Sequence, residues 1–313
     1  MNDHDADAIV AVGGGSSIDV GKAARYLYTH HTDRDDLRGM ERRGESIAAP
    51  DDATLPPLVA IPTTFAGADL SIGGSVSLPA TDDLPHTRIG IGDDRAMPTA
   101  CLFDPALVET TPLSALAGSA MNGFNKGIEL LYSSDATAMT DATGMHGLRL
   151  LRQSLPVIGS GEGDVAAAYD AATAGIILVQ YGRATPNSRF LSVLHAYGHG
   201  ISRGYPVQQG VAHAVVVPHA LEHIFERVDG RRELVAGGLG VDGDDLAAGI
   251  VAAVTAVRDS LGLPSRFRDV EGVEREDLPD MARATYDDPI LTNGAAGYDP
   301  DVDDIESVLD AAW

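Results

Sequence analysis

The chain has 313 residues, enough for two domains with separate cores, and its 46 acidic against 22 basic residues give a formal net charge of −24. No basic patch stands out, which argues against nucleic acid or an anionic membrane as partner. Cys101 is the sole cysteine, which excludes an intrachain disulfide and a thiolate metal cluster.

Met1–Asp7 is a short polar start. Ile9, Val10, Ala11 and Val12 form an apolar strand, and Gly13, Gly14 and Gly15 allow backbone angles and close approaches that a Cβ forbids. Ser16 and Ser17 are good N-cap types, and Ile18, Lys22 and the neighbouring alanines continue as a helix to about Tyr28. A strand–glycine–helix junction presents backbone N–H groups and the positive end of a helix dipole, which suits phosphate. It is neither the six-residue dinucleotide fingerprint, since Ile18 stands where the closing glycine belongs, nor a nucleotide-triphosphate P-loop. His30–Asp52 is charged and reads as loops with a solvated face and no metal-ligand spacing. Leu58–Ile61 is a second strand, followed by a small-residue loop with Thr63, Thr64 and Gly67. Ser71–Leu78, Arg88–Ile91 and Ala100–Phe103 read as further strands.

From Pro112 the apolar period becomes helical: Pro112–Tyr132, Met139–Leu155, Val165–Tyr181, Phe190–Ile201, Val211–Phe225, Leu246–Leu261, Glu274–Tyr286 and Asp303–Ala312. The expected organisation is an α/β domain over residues 1–108 and an all-helical domain over 109–313, with a site in the cleft between them. Only Lys22 and Lys126 are lysines, and the acid excess is spread along the chain, as on the hydrated surface of a halophilic protein. Without a signal peptide or an apolar run of membrane length, a soluble cytoplasmic protein is expected.

Several ordered segments together resemble the iron-containing (group III) alcohol dehydrogenase family. They are Gly13-Gly14-Gly15-Ser16 with Asp19, Ile61-Pro62-Thr63-Thr64, Asp104-Pro105, the helix Met121–Glu129, His195-Ala196-Tyr197-Gly198-His199 and the ending Asp287–Asn293. The resemblance implies a Rossmann-like dinucleotide-binding domain, here missing its first strands, followed by an all-helical domain as in dehydroquinate synthase. It implies a nicotinamide cofactor with its pyrophosphate on the glycine turn, Asp19 orienting the turn or cofactor, Thr63 and Thr64 nearby, and a divalent metal in the helical domain. A homo-oligomer is compatible with it. The run Glu129-Leu130-Leu131-Tyr132 with Leu155-Pro156, and Asn at position 122, are similar to maleylacetate reductases.

The sequence departs from the family pattern twice. Family members carry roughly a further strand–helix–strand unit before the glycine turn, so either the start codon is misassigned or this is a shortened form. The ribose-discriminating residue is absent, and NAD versus NADP is not readable. The second departure is chemical. The metal ligands of the pattern are Asp and His four apart on one helix face, then two later histidines; here these positions hold Asn122, Lys126, His195 and Gln209. One imidazole beside amides and an ammonium is a poor site for Fe²⁺ or Zn²⁺, so no metal is expected. Lys126 with Asn122 and Gln209 keeps the summed charge of a dication plus one aspartate. The expectation is that its ammonium takes the place of the metal, polarises the substrate oxygen and hydrogen-bonds with Asn122 and Gln209. His195 or His199 would move the proton. His213, His219 and His223 are expected to be structural or exposed, and His146 has no role. The implied activity is an NAD(P)-dependent alcohol dehydrogenase or carbonyl reductase acting on a small alcohol or carbonyl compound. Alternatives are a non-catalytic nucleotide-binding relative, a maleylacetate reductase-like enzyme and a nonredox lyase resembling dehydroquinate synthase.

Overall fold

The computed structural model describes residues 6–30, 34–42, 45–80, 87–181 and 190–313, so most of the polar start and parts of the His30–Asp52 segment lie outside the described residues. The chain divides into two compact units, Met1–Thr110 and Thr111–Trp313.

The first unit contains β1 (Ile9–Gly13), α1 (Gly15–His30), α2 (Arg34–Arg42), β2 (Leu58–Pro62), β3 (Gly73–Leu78), β4 (Thr87–Gly92), β5 (Ala100–Cys101) and α3 (Pro105–Glu109). β1, β2 and β5 form a parallel sheet in the order β1-β2-β5, with Ile9 opposite Leu58 and Gly13 opposite Pro62. Strand alternation turns Ala11, Leu58 and Ala60 onto Ile18 of α1. Val10 and Val12 point the other way and are 60% and 54% exposed. β3 and β4 form a separate antiparallel hairpin over a second core of Tyr26, Leu37, Ile47, Val76 and Ile89.

Two expectations change here. α2 lies inside the segment read as loops, because Leu37, 2% exposed, anchors an otherwise charged helix in the hairpin core. The strand expected over Ala100–Phe103 stops at Cys101, since the Asp104 side chain accepts the Ala106 N–H and caps α3 with Pro105 in its first turn.

The second unit is helical: α4 (Leu113–Tyr132), α5 (Ala138–Ser160), α6 (Val165–Tyr181), α7 (Val193–Ser202), α8 (Gln209–Arg227), α9 (Arg232–Leu239), α10 (Leu246–Ser260), α11 (Leu278–Tyr286) and α12 (Val302–Ala311). α4 is buried on all sides from Leu116 onward, Asn122 alone being part-exposed, and so carries Lys126 and Glu129 into the interior. α9 was not foreseen. It follows Arg231, whose left-handed backbone (φ 50°) and paired hydrogen bonds to Asp141 set its start, and it buries Val235 and Leu239. α7 begins at Val193 rather than Phe190, because the Ser192 N–H and hydroxyl are given to Glu129. Glu274–Asp277 is a separate 3-10 turn closed by a capping box, which delays α11 to Leu278. The result is a Rossmann-like α/β unit followed by an all-helical unit. No helix among the described residues is long and apolar enough to cross a membrane.

Candidate active site

In the first unit the glycine turn is tied down by backbone bonds. Thr63 N–H donates to the Gly13 carbonyl, and Ser17 and Ile18 N–H donate to the Gly14 carbonyl. Gly14 therefore holds the cap position and Ser16 and Ser17 fall inside the first turn of α1, exposed, rather than capping it. Gly13 has φ 141°, and a Cβ on Gly14 would sit 3.2 Å from the Thr64 methyl. The first turn of α1 carries no acidic residue of its own to compete for its N–H groups and positive dipole end. These residues fit a phosphate group.

Asp19, in the second turn of α1, bonds to β3. Its Oδ2 accepts the Ser75 N–H at 3.0 Å, and the carboxylate lies 3.6 Å from the Lys22 ammonium. Lys22 is itself fully buried and donates to the carbonyls of Ser71 and Gly73. Burial pushes the Lys22 pKa down, against the opposing charges of Asp19 and Asp69. The Asp19–Lys22 pair thus anchors the start of β3 to α1.

In the second unit, α4 supplies Asn122, Lys126 and Glu129, α6 supplies Gln180, α7 His195 and His199, α8 Gln209 and His213, and the segment after α11 supplies Asp288. Glu129 is fully buried. Its Oε1 accepts the N–H groups of Ser192 and His195 and the Ser192 hydroxyl, each at 3.1 Å, and its Oε2 lies 2.5 Å from His195 Nδ1. It caps α7 from a neighbouring helix, since Ser192 makes no side-chain cap bond of its own. His195 Nε2 lies 3.1 Å from Asn122 Oδ1, so both ring nitrogens are engaged.

One turn further on, His199 Nδ1 lies 2.9 Å from Asp288 Oδ2, and its Nε2 has no hydrogen-bond partner among the described residues. Arg203 and the Ile290 N–H also donate to Asp288. Burial pushes the Asp288 carboxyl up, but the hydrogen bonds and charges of its partners outweigh it and hold the group below the usual carboxylate range.

Lys126 is 7% exposed and donates to Gln180 Oε1 at 3.2 Å. Among the described residues, the hydrogen bond seen from Lys126 runs to Gln180 rather than to Asn122 or Gln209. Asn122 has a short side chain that His195 takes up, whereas Lys126 reaches α6, where Gln180 donates to the Ile176 carbonyl and so turns its oxygen toward the ammonium. The Gln209 side chain makes no hydrogen bond among the described residues, though its backbone opens α8.

His213, expected to be structural or exposed, belongs to this cluster. It is fully buried, its ring centroid is 4.7 Å from that of His195, and neither ring nitrogen has a hydrogen-bond partner among the described residues. The bare Gly198 backbone makes the space, because a Cβ there would collide with the His213 ring. Burial and the charges of His195, His199 and Lys126 push its pKa well below the ordinary imidazole value, with Glu129 opposing. His223 pairs with the Tyr298 hydroxyl at 2.8 Å, a structural role, and His146 is exposed.

The donors at the family's metal positions do not fit iron or zinc. Lys126 presents an ammonium, Asn122 and Gln209 are amides, and His195 already uses both nitrogens. Among the described residues no three His, Cys, Asp or Glu side chains converge as ligands. Sequence reasoning missed Glu129, Gln180, His213 and Asp288. A signal existed for Glu129, a carboxylate within an apolar helix, and for Asp288, which lies in the ending that resembled the family but carried no role.

The comparisons agree along the whole chain. Residues 1–105 match the iron-containing alcohol dehydrogenase family, and residues 116–313 match the C-terminal part of the Fe-containing alcohol dehydrogenase family. The 1,3-propanediol dehydrogenase of Klebsiella pneumoniae is 30% identical over 306 residues, 95% of this chain and 74% of that protein. The NAD-dependent methanol dehydrogenase of Bacillus methanolicus is 27% identical over 295 residues, 91% of this chain and 72% of that one. The solved alcohol dehydrogenase from Oenococcus oeni superposes with a TM-score of 0.83 at 24% identity, over 100% of this chain and 78% of that one. The chain belongs to the iron-containing alcohol dehydrogenase family.

Proposed function

We propose that this chain is an NAD(P)-dependent alcohol dehydrogenase or carbonyl reductase that needs no catalytic metal, with the Lys126 ammonium supplying the positive charge at the substrate oxygen. The observation that carries the reading is Lys126 itself. It is buried to 7% exposure on the same helix as Asn122 and Glu129, both of which bond to His195. A buried ammonium is costly unless it has partners, and the Gln180 side-chain oxygen is one of them.

The glycine turn would hold a nicotinamide cofactor by its pyrophosphate, and the cofactor would supply the hydride acceptor for alcohol oxidation and the hydride donor for carbonyl reduction. Within Gly13–Ser17, the backbone N–H groups not already bonded within the turn would fix that pyrophosphate, and Thr63 and Thr64 line the turn. Lys126 stabilises the charge that grows on the substrate oxygen. The Asn122 amide nitrogen, left over after Oδ1 meets His195, donates to the same oxygen. His199 takes the hydroxyl proton at Nε2 during oxidation and returns it during reduction. His195 is assigned to holding Asn122, because its own nitrogens are occupied. Relatives named for 1,3-propanediol and methanol support a small alcohol as substrate, and one named NAD-dependent supports NAD.

The test is absorbance of the reduced nicotinamide in high salt with a panel of small alcohols and aldehydes. Turnover by the natural chain is expected, with a loss on the order of 10²–10⁴-fold in His199→Ala. Cofactor binding with no turnover on any substrate would favour the non-catalytic relative instead.

A further inference from the structure

We infer that Asp288 is a positioning residue: its carboxylate holds His199 in the Nδ1–H tautomer and leaves Nε2 as the nitrogen that takes and returns the substrate proton. The inference rests on the proposed dehydrogenase reading for its kinetic consequence, though not for its geometry.

The contact is built, not incidental. α7 and the end of α11 approach so closely at Gly200 that a Cβ there would stand 2.7 Å from the Thr285 backbone nitrogen. That approach brings Asp288, three residues beyond Thr285, to the His199 ring. The Asp288 side chain is 1% exposed, whereas that of His199 is 19% exposed. Three donors fix the carboxylate: the Ile290 N–H on Oδ1, and Arg203 and His199 on Oδ2 at 2.7 and 2.9 Å. An ionised carboxylate only accepts, so the nitrogen facing it must carry hydrogen. In a neutral imidazole the other nitrogen then has the lone pair.

His195 makes the instructive contrast. Glu129 binds its Nδ1 in the same way, but Asn122 closes its Nε2. Two imidazoles one helical turn apart share the carboxylate device, and only His199 keeps a nitrogen open.

The experiment uses the full-length chain and its Asp288→Asn and Asp288→Glu variants. Nitrogen-15 NMR reads the His199 tautomer, and steady-state kinetics separates kcat from KM. Expected are an Nδ1–H tautomer in the natural chain and a shift toward Nε2–H in Asp288→Asn. Its kcat should fall on the order of 10²-fold with KM for alcohol and cofactor within about twofold, and Asp288→Glu should recover part of the rate. An Nε2–H tautomer in the natural chain overturns the inference even if a variant fails to fold. So does a tautomer unchanged in Asp288→Asn, or a defect confined to KM. Absence of turnover in the natural chain, with the Nδ1–H tautomer present, would fail the dehydrogenase reading while leaving the positioning by Asp288 standing.

Discussion

Gly13–Ser17 and the imidazole cluster of α4, α7 and α8 differ in what they offer a ligand. The glycine turn offers backbone: free N–H groups at the start of α1, a Gly14 without a Cβ beside Thr64, and one carbonyl each from Gly13 and Gly14 bonded back into the fold. The imidazole cluster offers side chains gathered from Asn122 to Asp288, with His195 and His199 each held by a buried carboxylate. A backbone site is indifferent to which side chains surround it as long as none intrudes. A side-chain site fails when one partner goes, because the group left behind stays buried and unpaired. Substitutions should therefore separate the two regions by kind of defect as well as by size.

The largest effect belongs to Glu129. Glu129→Ala leaves the Ser192 and His195 N–H groups and the His195 ring without their acceptor, and should destabilise the fold by about 3–5 kcal/mol, read as a lower urea midpoint. Loss below about 1 kcal/mol would mean that water replaces the carboxylate and that the cluster is less enclosed than its exposure indicates. Gly14→Val acts on the other region. The new side chain meets Thr64, so KM for the cofactor should rise roughly tenfold or more, worth about 1.4 kcal/mol, with little change in the urea midpoint. A fall in kcat at saturating cofactor instead would break the contrast. The smallest effect is expected at Val12, 54% exposed on the outer face of β1, where Val12→Ser should change stability by no more than about 0.5 kcal/mol. A larger loss would show that this face is covered in solution.

The same contrast explains what could be read beforehand. Ile9–Val12 and Gly13–Gly15 are contiguous, and local chemistry dictates strand, turn and helix start, so that region was legible to within a cap residue. The helices of the second unit were legible from their period, except α9, whose start depends on Arg231 reaching Asp141 ninety residues away. α2 was hidden because Leu37 and Met40 are its only aliphatic anchors among charges. In the site, Asn122, Lys126 and His195 were found by their positions in the family pattern, and His199 by its place four residues after His195. Their partners were not, because Gln180 and Asp288 reach them only through helix packing, and His213 fits only because Gly198 leaves room. The bond from Asp19 to β3 was hidden for the same reason: it joins a residue close to the glycine turn to one far along the chain.

The central claim is that the charge of Lys126 does the work assigned to a metal in the family name. The direct measurement is turnover of the natural chain and Lys126→Met, before and after exhaustive treatment with a chelator, with metal content determined on the same samples. The account predicts that the natural chain keeps its rate without bound metal, and that Lys126→Met retains its fold and cofactor affinity but loses about 10²–10³-fold in kcat. Activity that disappears with the chelator and returns on adding Fe²⁺ or Zn²⁺ would contradict it.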